Sequence, residues 1–265
     1  MTTGNDVFEM QTGSGWQRGL NNLLSAEFGR WFKTKMWWIQ ILVWTGLINV
    51  FLLFMAVADT GMPGPELLMI FNIFLGLFGA VGVCIIMQGT VVGEKSSGTA
   101  AWVLSKPASR PAFLLAKLLA NSVGIAVTII LVQGLIAYLI ITLSTEISMR
   151  PLAYLGGLGV HFANYFFYIT LTLMLGTLFS HRAPVIGIPL VFLFMQQMIL
   201  GIVPKLVFVF PWTLTVPINE EQFPSIAVAL MTGTDPYTYI PLAATFCASV
   251  VFTAVALWAF NRQEF

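Results

Sequence analysis

Six apolar runs follow one another along the chain: Met36–Ala58, Glu66–Val92, Ala112–Leu143, Leu152–Phe179, Val185–Val203 and Ile240–Phe260. Each is about as long as the roughly 20 residues a helix needs to cross a bilayer, or longer. Breakers separate them. Gly61, Pro63, Gly64 and Pro65 follow the first run, Ser144–Pro151 follows the third, and His181, Arg182 and Pro184 follow the fourth. Pro189, inside the fifth run, predicts a kink there. Ahead of the first run, Gly15–Lys35 places Trp16, Leu20, Leu23, Leu24, Phe28, Trp31 and Phe32 on one helical stripe. Gln17, Arg18, Asn21, Asn22, Glu27, Arg30 and Lys33 fall opposite. Tryptophan at both ends of the stripe and bases across from it suit a helix lying in the membrane interface. Met1–Ser14 is polar and rich in Gly and Thr, and is expected to be mobile.

The pattern predicts an all-α polytopic membrane protein with six transmembrane helices preceded by an amphipathic interfacial helix. It divides into an N-terminal cytoplasmic segment, 1–35, and a six-span membrane domain, 36–265. Composition agrees: 58% of residues are hydrophobic and 9% charged, against about 25% charged in a soluble domain. Cys84 and Cys247 both sit in apolar runs, without metal-ligand or disulfide spacing, and are expected to be small core residues.

Charge placement sets the orientation. Six spans put Arg18, Arg30, Lys33, Lys35, Lys95, Lys106, Arg110, Lys117, Arg182 and Arg262 on one side, which is ten of the twelve bases. Only Arg150 and Lys205 fall on the other. The positive-inside rule then places both termini in the cytoplasm. The acids Asp59, Glu66, Glu146, Glu220, Glu221 and Asp235 fall on the outer side.

Much chemistry is missing. The middles of the six runs hold no Asp, Glu, Lys or Arg, so a carboxylate relay of the kind found in pumps and proton-coupled transporters has no residues to use. HExxH, G-x-x-x-x-G-K-[ST] and GxSxG do not occur. A membrane-embedded enzyme is therefore disfavoured, and Glu220–Glu221 is expected to be a solvated loop pair. The polar residues within the runs are neutral: Asn49, Asn72, Gln88, Asn121, Gln133, Asn164, Gln196 and Gln197. His161, Asn164, Tyr168 and Thr172 share one face of the fourth run. Such groups usually bond between helices and less often line a substrate path. Gly76, Ala80 and Cys84 form a stripe of small residues suited to close helix packing.

The stretch around which the runs are arranged is Gly93–Lys117, GEKSSGTAAWVLSKPASRPAFLLAK. It joins the second and third runs and carries Lys95, Lys106, Arg110 and Lys117. Glu94–Ser105 has helix formers in Ala100, Ala101 and Leu104, weakened midway by Gly98 and Thr99. Pro107 ends it, and Ser109 with Pro111 is an N-cap and first-turn pair for the next helix. Trp102 and Leu104 are apolar anchors within it. A short rigid element of this kind can pass force from a soluble partner to the two spans it joins.

Three pieces of this stretch, E-K-x-S-G-T, L-S-x-P-x-S-R and F-x-x-x-K, resemble the membrane subunits of type-2 ATP-binding-cassette (ABC) transporters, the export permeases. The likeness covers nearly the whole chain. It implies that the leading helix is an elbow helix and that the connector is a coupling helix docking on an ATPase subunit. Glu94, Lys95, Ser96, Ser97, Gly98, Thr99, Trp102 and Leu104 then belong to the docking element, and Pro107, Arg110 and Lys117 to its exit into the third span. The resemblance further implies two ATPase copies that bind ATP and Mg, with no cofactor on this chain. It implies a second permease copy, identical or related, and a pathway near the first, second and fifth spans. Asn49, Asn72, Gln196 and Gln197 are the lining candidates. Pro204–Pro241, Pro-rich and half apolar, is suited to dip back as short helices. An apolar, uncharged pathway favours lipids, hydrophobic drugs or peptides as cargo, and the compact form is of the prokaryotic plasma-membrane kind. A second account fits the same residues: a non-transporting scaffold or sensor whose connector docks a cytoplasmic regulator.

Overall fold

The computed structural model describes residues 15–58, 62–217 and 225–263. Met1–Ser14, Asp59, Glu220 and Glu221, on which some expectations rest, lie outside them. The described chain is helical throughout, with no strand, and contains six helices long and apolar enough to cross a membrane. They are Met36–Val57, Gly64–Ser96, Arg110–Ser144, Pro151–Leu178, Arg182–Ile202 and Ile240–Asn261. A helix at Leu20–Phe32 precedes the first. It starts later than the stripe predicts, because Gly15 and Gly19 both hold positive φ and keep Trp16 outside the helix. The fifth span runs through Pro189 as one helix.

The fourth span is the axis of the fold. Inside the protein, 72% of its most apolar stretch is buried, against 22% for the first and sixth spans and 28% for the fifth. Those three therefore lie at the periphery, presenting Leu42, Val50, Phe54, Val191, Phe194 and Val251 outward. Close approach to the axis depends on missing side chains. A Cβ on Gly79 of the second span would lie 1.7 Å from the Tyr165 hydroxyl, which donates to the Leu75 carbonyl. One on Gly134 of the third span would lie 2.6 Å from Leu158, and beside it Tyr154 donates to the Gly134 carbonyl at 2.7 Å. The predicted small stripe of Gly76, Ala80 and Cys84 is buried along its length.

Two spans carry a wide turn. Thr45–Asn49 in the first and Ala126–Leu131 in the third are π-helical, and one side chain bridges them. Gln133 accepts from Thr45 at 3.0 Å and from Asn49 at 2.7 Å. Its amide donates to the carbonyls of Thr128 and Ile41. Thr128 lies within the π-turn of the third span, where the irregular ladder leaves room for a side-chain donor; Ile41 lies one turn before that of the first.

The segment between the fifth and sixth spans folds back as short helices at Pro204–Phe208, Trp212–Thr215 and Ile226–Thr232. Trp212, Thr213, Leu214 and Thr215 are all buried. A Cβ on Gly76 would meet Thr215 Oγ1 at 2.4 Å. Gly76 lies 12 residues into the second span, about 18 Å along it at 1.5 Å per residue, so this segment penetrates between the spans. Gln196 of the fifth span anchors it, accepting from the Trp212 backbone N–H at 3.1 Å.

Gly79→Ala is expected to cost about 1–3 kcal/mol by overpacking against Tyr165, read as a lower unfolding temperature in detergent. Gly187→Ala, with nothing within 4 Å of the added carbon and a helix-interior position, should hold that temperature or raise it slightly.

Candidate functional site

The connector is two helices, not one. Val92–Ser96 and Thr99–Leu104 meet at Gly98, whose φ of 73° is left-handed. A side chain is strained in that conformation, so the glycine that weakens the predicted helix instead turns the chain between two. A further break across 88–91 separates Val92–Ser96 from the rest of the second span. After Pro107, Ser109 is in extended conformation and its Oγ accepts from Ala112 N–H at 3.1 Å. That is the N-cap its spacing predicts.

Three elements converge beneath the connector. Lys117 of the third span is 1% exposed, and its Nζ lies 2.6 Å from Glu94 of the connector and 2.6 Å from Glu27 of the leading helix. Arg30 of the leading helix closes the cluster, 3.2 Å from Glu94 and 3.4 Å from Glu27. Two cations face two carboxylates. Lys117 also lies 4.8 Å over the ring of Phe113, which stacks on Phe260 of the sixth span. A second tie runs alongside. Trp31 donates to Asn121 at 3.0 Å, and a Cβ on Gly124 would lie 2.3 Å from the Trp31 indole. A third secures the start of the leading segment: the Ser109 N–H donates to the Arg18 carbonyl at 2.9 Å and its hydroxyl to that of Trp16.

Lys95 fastens the connector to the axis. Its ammonium donates to the carbonyls of Gly176, Thr177 and Phe179, at 3.3, 3.0 and 3.1 Å. These carbonyls lie at the C-terminal end of the fourth span, where a cation is favoured. Arg110 donates to the carbonyl of Asn261, at the end of the sixth.

What remains outward is a small polar face with one aromatic. Ser96, Ser97, Gly98, Thr99, Trp102, Lys106 and Pro107 are exposed, Trp102 by 65%. Lys106 stacks over the Trp102 ring at 5.3 Å. Ala100 beneath is fully buried, and Leu104 is half-buried and packs on the core.

The chain matches the model of the ABC-2 family of transporter proteins over residues 9–265. It belongs to that family. No curated protein matches it. A six-span ABC-2 chain of this kind is a multi-pass membrane protein with a transport permease role, and such membrane subunits generally pair with ATPase subunits.

Within this ABC-2 chain the predicted docking residues fall into two groups. Ser96–Thr99 and Trp102 face outward. Glu94, Lys95, Arg110 and Lys117 turn inward and hold the connector to the leading helix and to the third, fourth and sixth spans. Of the lining candidates, Asn49, Asn72 and Gln196 are buried inside the protomer. Asn72 contacts His161 at 2.8 Å and donates to the Leu68 carbonyl, and Gln196 donates to Tyr168 at 2.8 Å. Only Gln197 is exposed. Glu27 and Arg30 are the residues that sequence reasoning did not single out. The available signal was Lys117, an ammonium seven residues into an apolar helix, which requires a carboxylate from somewhere.

Lys117→Met leaves two carboxylates facing each other beneath the connector, and is expected to cost about 3–5 kcal/mol of stability. Lys33→Met, at an exposed position one turn beyond Gly29, should change it by less than about 0.5 kcal/mol. Denaturation of the two variants in one detergent checks the contrast.

Proposed function

We propose that this chain is the permease subunit of an ATP-driven exporter and that its connector docks on a separate ATPase subunit. The observation that carries this is the division of the connector. One face is clamped to the leading helix and three spans, and the other offers Ser96–Thr99 and a 65% exposed Trp102. An aromatic anchor ringed by small polar groups is how a compact protein interface is built. The rigid inner face gives a partner's movement something to push. ATP and Mg act on the partner, and this chain supplies no group to the hydrolysis.

Two ATPase copies and two permease copies, identical or related, complete the assembly. The outward apolar faces of the first and fifth spans, with Gln197 on the latter, fit a second permease across a shared pathway. Ten of twelve bases on the connector side support a plasma membrane orientation with both termini in the cytoplasm. In that setting Leu20–Phe32 lies in the interface as an elbow. The outward surface of the fifth span is apolar, with Met195 and Met198 exposed. It suits a hydrophobic or amphipathic cargo.

Trp102→Ala tests the docking. The variant is expected to insert normally but to retain its ATPase subunit on affinity purification about tenfold less well, the loss typical of an interface tryptophan. Unchanged retention would remove the connector from the interface. An eluate with no ATPase at all, with neighbouring genes expressed, would favour the scaffold account.

A further inference from the structure

A cleft of about 230 Å³ opens at the connector end of the membrane domain, apart from the docking face. Arg30 and Trp31 of the leading helix, Met36 at the start of the first span, Ile86, Gly89 and Thr90 of the second and Asn121 of the third line it. These residues stand where the spans meet the interface, since Met36 begins the first span and 88–91 is the break near the end of the second. The lining is mixed: Ile86 and Met36 are apolar, and Arg30, Thr90 and Asn121 bring a guanidinium, a hydroxyl and an amide. A contrasting cleft among Leu131, Leu135, Tyr138, Tyr154 and Leu158 has no charged residue in its lining. There both tyrosine hydroxyls are already bonded, to the carbonyls of Met149 and Gly134.

Two of the polar groups, Thr90 and Arg30, have spare hydrogen-bonding capacity. Thr90 is only 9% exposed, yet its hydroxyl finds the Ile86 carbonyl no closer than 3.5 Å and the Met87 sulfur at 3.9 Å. Both contacts are long for a hydroxyl donor. Arg30 uses its two terminal nitrogens on Glu27 and Glu94, but a guanidinium carries five N–H groups, and its side chain is 57% exposed. Glu27 and Glu94 are balanced by Arg30 and Lys117. Lys33 and Lys35 follow Arg30 in the chain and are exposed, and no acid occurs between Glu27 and Asp59.

We propose that this cleft binds the phosphate–glycerol region of an anionic phospholipid from the connector-side leaflet. Arg30 and Thr90 hold the phosphate oxygens, and an acyl chain runs over Ile86 and Met36. Basic pockets between helices at a membrane face take anionic headgroups for the same physical reason. The site stands apart from ATPase docking and does not depend on it. The lipid seated there is either a resident or a passing cargo, and both present the same chemistry.

Native mass spectrometry of the full chain in mild detergent, titrated with phosphatidylglycerol and phosphatidylcholine, tests it. One phosphatidylglycerol is expected to bind about five- to tenfold more tightly than phosphatidylcholine. Arg30→Gln should erase that preference. Because Arg30 also serves the ion cluster, Ile86→Trp provides a second variant that fills the cleft and touches no member of the cluster; it should erase the tight site as well. Equal binding of the two lipids by the unaltered chain would overturn the proposal. So would a preference that survives Ile86→Trp but is lost in Lys33→Gln with Lys35→Gln, since that places the lipid on the open surface. Adding the ATPase partner with ATP separates the two sources. A resident lipid stays bound and a cargo lipid exchanges, and either outcome requires the site.

Discussion

A lysine ammonium enclosed by protein needs compensating charge, and the connector end of this molecule is built around supplying it. Lys117 enters the third span 1% exposed, in surroundings where an uncompensated charge costs several kcal/mol. One carboxylate comes from the leading helix and one from the connector. Neither position is local to Lys117: Glu27 and Glu94 are 90 and 23 residues away. Three separate helices are thereby fixed to one point. The Arg30 guanidinium, bonded to both acids, keeps their charge from exceeding that of Lys117 alone.

From that point the ties spread through the bundle. Phe113, under the Lys117 ammonium, stacks on Phe260, and Arg110 reaches the end of the same sixth span. Lys95 caps the fourth span, which is the axis on which the second, third, fifth and sixth spans and the helices Trp212–Thr215 and Ile226–Thr232 pack. Displacement of the connector is thus delivered to the centre of the fold as well as to the two spans it joins. At greater depth the first and third spans are held by Gln133 across two π-turns, a wider and less regular backbone than at the connector end. The third span is therefore tied by ionic contacts to the leading helix and the connector at one end, and by neutral hydrogen bonds to the first span in the middle.

The period of the apolar residues made the spans legible. Six runs became six helices, because length and hydrophobicity suffice for that. The Ser109 cap and the helix-weakening Gly98 were also legible, since both act through local backbone chemistry. The direction in which polar groups point was not. Asn49, Asn72 and Gln196 were open to both readings, interhelical bonding the more usual, and helix rotation, a tertiary property, turned all three inward. Glu27 sits on the polar side of an amphipathic stripe, which from sequence alone faces water. Its burial depends on the leading helix lying against the third span, and that in turn depends on Gly124 leaving room for Trp31. Glu94 and Lys117 were legible as members of a motif but not as partners of each other.

The central claim is that the leading helix, the connector and the third span behave as one unit through Lys117. Amide hydrogen exchange on the full chain, with and without Lys117→Met, tests this most directly. Protection should fall together in Leu20–Phe32 and in Val92–Ser96, while the fourth span, held by its own packing, keeps its protection. If the leading helix loosens alone and the connector exchanges as before, or if neither changes, the ion cluster does not join them and the account is wrong.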